Sequence, residues 1–236
     1  MEIEAHQAVE LCGPKIEHDF ASTGGSALLS DGRVLIGYSG PSNPHDAGMG
    51  ETRIYARDSR DGCKTWSAER EIVHHPECKA IGPTLCRTRD GALWMFYLGF
   101  YRHAWPDGEP DMQATRSDVW AARSSDHGRT WTDRQMIFRG YSGATNGAIQ
   151  TASGHIVVPL SYVVPGPGRL LSACVVSADG GASWQLSEAL DLGGHGDHAG
   201  AIEPTVVQLG DGRVWMIIRT TRGRFWQAFS GDNALT

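Results

Sequence analysis

The sequence predicts an all-β fold, a β-propeller of four-stranded antiparallel blades, on three observations. An eight-residue pattern, Ser-x-Asp-x-Gly-x-Thr/Ser-Trp, recurs along the chain. A hairpin signal of the Asp-Gly type recurs in phase with it. The segments between them need no amphipathic helix. Self-similarity at a regular spacing is the mark of propellers and solenoids.

The octapeptide is complete in Ser124–Trp131 and in Ser177–Trp184. Ser59–Trp66 departs only at Cys63, where Gly is expected. Ser230–Thr236 begins a fourth copy with Ala234 for Gly, one residue short of its Trp. Each copy reads as a turn between strands. The Asp carboxylate accepts hydrogen bonds from the turn's own N–H groups, and Gly supplies a left-handed backbone angle. The closing Trp buries a large ring and finds a backbone partner for its N–H. Asp126 and Asp179 therefore read as turn-formers. The ligand ladder and terminal Glu of a calcium-binding hand are missing.

The hairpin signals are Ser30-Asp31-Gly32, Arg89-Asp90-Gly91, Ala152-Ser153-Gly154 and Gly210-Asp211-Gly212. Each separates two β-rich runs, as Leu93–Tyr97 and Val214–Ile218 illustrate. The successive glycines lie 59, 63 and 58 residues apart. Each unit thus holds a hairpin, a loop, a third strand, the octapeptide and a fourth strand, which is one propeller blade. Three blades and most of a fourth are counted, with no linker or low-complexity stretch, so residues 1–236 read as one repeat domain.

Composition narrows the function. No apolar run approaches the roughly 20 residues of a membrane span, and the N-terminus lacks the charged start and apolar core of a secretion signal. Five scattered cysteines form neither a disulfide framework nor a zinc pattern. These features favour a cytoplasmic, reducing setting. A formal charge of −6 argues against a nucleic-acid surface. No membrane partner and no cofactor are expected.

In a blade with alternating strands, the hairpins and octapeptides fall on one end. The loops after each second strand and between blades fall on the other, and functional residues are expected there. Glu203 and Arg219 lie 16 residues apart around the Asp211-Gly212 turn. Antiparallel pairing brings them side by side at that loop-rich end. On geometry alone, a structural ion pair and a functional pair are equally good readings.

The octapeptides resemble the Asp boxes, or BNR repeats, of sialidases (neuraminidases), and Glu203–Arg219 resembles that family's Glu–hairpin–Arg stretch in spacing and phase. The resemblance runs from about Gly24 to Thr236. It implies a six-bladed propeller, of which about four blades are present, so the chain looks like an N-terminal fragment. It further implies a Tyr nucleophile, an exception to the two-carboxylate rule of glycosidases, lying with a third clamp Arg beyond Thr236. Glu203 would be the base that activates the Tyr. Arg219 would be one of three arginines that grip a substrate carboxylate bidentately. Asp46, 13 residues before Ser59, resembles the acid/base Asp in position; a solvated loop Asp is the competing reading. The family's first Arg has no counterpart here, where Ser22-Thr23-Gly24-Gly25 stands.

The long loop from Gly99 to Glu109 carries Arg102 as a substitute clamp on a sugar-binding rim, against a self-packed loop as the plainer reading. His195-Gly196-Asp197-His198 lacks a third and a fourth ligand for a metal site and reads as a rim in which His198 hydrogen-bonds substrate. The expected activity is hydrolysis of terminal sialic acid or a related acidic sugar from glycans, with residues 1–236 inactive alone. A non-catalytic glycan-binding propeller or interaction scaffold is the alternative.

Overall fold

The computed structural model describes residues 24–40, 52–102, 104, 106, 111, 114–166, 168–196 and 199–236. No α-helix occurs among them. The strands fall into four antiparallel sheets, each hydrogen-bonded in chain order. Blade 1 holds β1 (Gly25–Leu28), β2 (Val34–Ser39), β3 (Ile54–Ser59) and β4 (Arg70–Val73). Blade 2 holds β5 (Lys79–Arg87), β6 (Leu93–Arg102), β7 (Arg116–Ser124) and β8 (Thr132–Phe138). Blade 3 holds β9 (Ile149–Gln150), β10 (Ile156–Val164), β11 (Arg169–Ser177) and β12 (Gln185–Leu186). Blade 4 holds β13 (Ile202–Gln208), β14 (Val214–Arg219) and β15 (Trp226–Ser230). The sheets are arranged as the blades of a propeller.

The hairpin glycines Gly32, Gly91, Gly154 and Gly212 all have φ between 82° and 99°, a left-handed angle that Gly adopts without strain. Each donates its N–H back to the carbonyl three residues earlier, at 2.9–3.1 Å. The boxes form as their chemistry predicts. In the third, Ser177 Oγ donates to Asp179 Oδ1 at 2.8 Å and accepts from the Gly181 N–H at 2.8 Å. The Ser183 N–H and Oγ donate to the two Asp179 oxygens at 2.9 and 2.6 Å. These bonds hold the Asp179 carboxyl down at about 2. The fourth box closes the same way around Asp232, with Ala234 at φ 65°.

The box tryptophans correct one expectation. Trp66, Trp131 and Trp184 are largely buried as expected, but the indole nitrogens of Trp131 and Trp184 are buried without the expected hydrogen-bond partner. Trp131 packs against the cluster at the seam between blades 1 and 2, and Trp184 against that at the seam between blades 2 and 3. Trp184 meets Trp94 and Phe96 edge-to-face at 5.8 and 5.7 Å.

Apolar residues concentrate at those seams. One cluster joins Leu29, Leu35 and Ile54 of blade 1 to Leu93, Met95 and Tyr97 of blade 2. Another joins Trp94 and Phe96 to Ile156 and Val158 of blade 3. A third joins Val157, Cys174 and Val176 to Val206, Val214 and Ile218 of blade 4. Polar clasps span the seams at the hairpin end. Arg89 donates to the Thr151 and Ala152 carbonyls at 2.7 and 2.8 Å, and the Ala152 N–H donates to Gln208 Oε1 at 2.7 Å. Cys78, Cys86 and Cys174 are buried and reduced, while Cys63 is exposed in its turn at φ 69°.

Candidate functional site

Blade 4 builds the site with a bulge. Its hairpin pairs Gln208 with Val214 and continues in register to Thr205 opposite Ile217. Uninterrupted, that register would set Glu203 opposite Arg219. Instead Ile202 is the partner of Arg219, because Glu203 and Pro204 together face a single residue of β14. A bulge of this kind accommodates proline, which has no N–H for the ladder. Glu203 takes φ 49°, a left-handed angle that is uncommon for a side chain of its size. The Glu203 N–H donates to Ser161 Oγ of β10 at 3.4 Å. Ser161 is fully buried, and its carbonyl accepts from the Gly143 N–H at 3.3 Å.

The carboxylate turns toward Arg219, whose Nη1 donates to Glu203 Oε2 at 2.7 Å. Both side chains remain open to solvent, at 39% for Glu203 and 47% for Arg219. The pair is thus available to a ligand, and as a stabilising contact it is worth about 0–1 kcal/mol. Chemically it offers a proton acceptor beside a fixed cation with bidentate capacity.

Blade 2 repeats the bulge. β5 and β6 stay in register to Thr84 opposite Phe96, then shift so that Ile81 faces Leu98. Here the left-handed residue is Gly82, at φ 60°, followed by Pro83. Ile81-Gly82-Pro83-Thr84 and Ile202-Glu203-Pro204-Thr205 are one design with different second residues. Sequence reasoning missed this, although the shared Ile-x-Pro-Thr was its signal. A cavity of about 190 Å³ opens at the Gly82 bulge, lined also by Gly24, Thr84, Leu98 and Asn146. It is smaller than the roughly 300–1,000 Å³ of ordinary ligand pockets. Ser161 was missed as well, since nothing in its surrounding sequence marks it.

Of the other anticipated residues, Arg102 is exposed at the end of β6 and faces Arg116 across the sheet. Arg116 is bound by the buried Asp118 at 2.5 Å and lies over the Tyr101 ring at 4.1 Å. Asp46 and His198 lie outside the described residues. Among the described residues, no three of His, Cys, Asp and Glu gather closely enough to hold a metal ion, and no helix is long and apolar enough to cross a membrane.

Residues 28–236 match the family model described as the BNR repeat-like domain. The chain belongs to that family. The BNR chain is 26% identical over 207 residues to a sialidase of Micromonospora viridifaciens, an alignment that covers 79% of the chain and 31% of the relative. It thus spans about a third of the length of the curated relative it matches. A protein of unknown function from Dyadobacter fermentans superposes with a TM-score of 0.74 at 18% identity, covering 95% of this chain and 69% of that one. The NanB sialidase of Streptococcus pneumoniae superposes with a TM-score of 0.71 at 13% identity, covering 98% and 52%. These likenesses show that the BNR chain shares its propeller fold with sialidases.

Proposed function

We propose that residues 1–236 form part of a single sialidase-like propeller domain and that the protein is an exo-glycosidase acting on terminal sialic acid or a related acidic sugar. The observation that carries this reading is the solvent-open Glu203–Arg219 pair at the loop-rich end of a BNR propeller, held there by a bulge. Arg219 grips the sugar carboxylate through charge-assisted hydrogen bonds. Glu203 takes the proton of a tyrosine nucleophile supplied by residues outside 1–236. A neutral phenol approaches a carbon bearing a carboxylate without the repulsion that a carboxylate nucleophile would meet. Asp46 serves the leaving-group oxygen as acid and base, and Arg102 and His198 contribute to the rim.

The test is hydrolysis of a panel of chromogenic glycosides, a sialoside among them, by the full-length protein and its variants. Glu203→Gln should lower kcat by about 10²–10⁴-fold, because an amide cannot accept the nucleophile's proton. Arg219→Ala should chiefly raise KM for acidic sugars. Full activity in Glu203→Gln would overturn the assignment. Binding of glycans with no turnover of any glycoside would favour a glycan-binding propeller instead.

A further inference from the structure

Immediately beyond Arg219 the chain reads Thr220-Thr221-Arg222-Gly223-Arg224-Phe225. Three arginines therefore fall within six residues of a chain whose formal net charge is −6. The loop is built rather than loose. Thr220 Oγ1 donates to the Arg224 carbonyl at 2.8 Å and accepts from the Arg222 N–H at 3.2 Å, while Gly223 turns the chain at φ 70°. Arg222 Nη2 donates to the Leu192 carbonyl at 2.6 Å, which ties the loop to the segment entering blade 4.

Among the described residues, no carboxylate cancels the positive charge of this loop. Arg222 bonds a carbonyl, a neutral acceptor. The acid beside that carbonyl, Asp191, is already held by the Arg169 guanidinium at 2.8 and 2.5 Å and by the Gly193 N–H at 2.8 Å. Arg224 is exposed and pairs with no carboxylate among the described residues. Like charges gathered on an ordered loop raise the local potential and attract an anion.

We propose that the β14–β15 loop is a second anion-recognition site, which reads a carboxylate or sulfate on the sugar next to the one that Arg219 holds. The substrate class is then an oligosaccharide carrying two adjacent acidic groups. This inference rests on the reading of Glu203–Arg219 as the glycan site.

The experiment is calorimetric binding of 3′-sialyllactose, with one carboxylate, and of disialyllactose, with two, to full-length protein carrying Glu203→Gln to suppress turnover. An exposed charge pair contributes a factor of about 1.4–5, so two arginines should favour disialyllactose by roughly 2- to 25-fold. That advantage should be present at about 0.02 M salt and shrink toward 0.15 M. Adding R222A/R224A should erase the preference and leave 3′-sialyllactose affinity unchanged. R224A alone, which breaks no loop-tying bond, should halve the logarithm of the preference, and R222K/R224K should retain most of it. Equal affinities for the two sugars, or a preference that survives in R222A/R224A, would overturn the loop site while leaving the primary site standing. Disialyllactose binding that needs the loop, without any binding of 3′-sialyllactose, would uphold the loop site and sink the Glu203–Arg219 reading. No binding of either sugar overturns both.

Discussion

Replacing Glu203 by Gly and by Ala separates what its backbone angle does from what its carboxylate does. Both variants lose the Arg219 pair, so its contribution of about 0–1 kcal/mol cancels in the comparison. What remains is the left-handed angle of 49°. That angle disfavours any residue with a Cβ by about 1–2 kcal/mol, and glycine's looser unfolded chain takes back about 0.4–1 kcal/mol. Glu203→Gly should therefore be more stable than Glu203→Ala by about 1 kcal/mol, or about 2–4 °C in Tm for a domain of this size. Neither should retain activity if Glu203 is the base. Gly82 is the internal control, because the same bulge sits there at φ 60°. Its Cβ position is open, with nothing within 4 Å. Gly82→Ala should thus lower stability through the angle alone, by a similar amount. Urea denaturation of the three variants followed by tryptophan fluorescence measures all of this. Equal stability of the Gly and Ala variants at 203 would refute the claim that the site stores backbone strain.

Three further outcomes follow from the boxes. Hydrogen bonds from Ser183 and Ser177 hold Asp179 at about 2, and bonds from Ser230 and Thr236 hold Asp232 at about 2. The unfolded carboxyls titrate near 3.9, so the unfolded chain binds more protons across that interval; this stability is full above about pH 5 and is lost as pH falls toward 2. Urea midpoints measured against pH should show that loss, and Asp179→Asn should make the curve shallower in the same range. Gly181→Ala would bring a Cβ within 2.2 Å of the Trp94 ring at φ 94°, and should destabilise by about 2–5 kcal/mol through overpacking and backbone strain. Ala234→Gly, at the same place in the fourth box, exchanges relieved strain for a lost methyl of about 0.8 kcal/mol and should stay within about 1 kcal/mol of neutral. Denaturant midpoints compare the two.

The fold was legible because its signals are local. A Gly-containing turn between apolar runs and a Ser-x-Asp turn each fold on bonds made within a few residues, and both could be read before any long-range contact was known. The Glu203–Arg219 pair was legible for the same reason, since a hairpin of known turn predicts which residues meet across it. The bulge was not. One extra residue leaves the hydrophobic pattern nearly intact, and it shows only when Ile81–Thr84 is set beside Ile202–Thr205. The indole nitrogens of Trp131 and Trp184 were misjudged because their surroundings depend on the neighbouring blade. No property of the octapeptide itself reports the shape of that neighbour.

Three residues after each of the first three hairpin glycines stand Leu35, Trp94 and Val157. The box position of the following blade holds Gly128, Gly181 and Ala234 in turn. A Cβ on Gly128 would meet Leu35, and one on Gly181 would meet Trp94. Ala234 keeps its methyl in the cluster that contains Val157, the smallest of the three. Blades that look interchangeable in the sequence are therefore keyed to their order. Moving the fourth blade to follow the second would set a methyl against an indole with no room for it. The piece that can be transplanted intact is not a blade but a seam: the hairpin of one blade together with the box of the next.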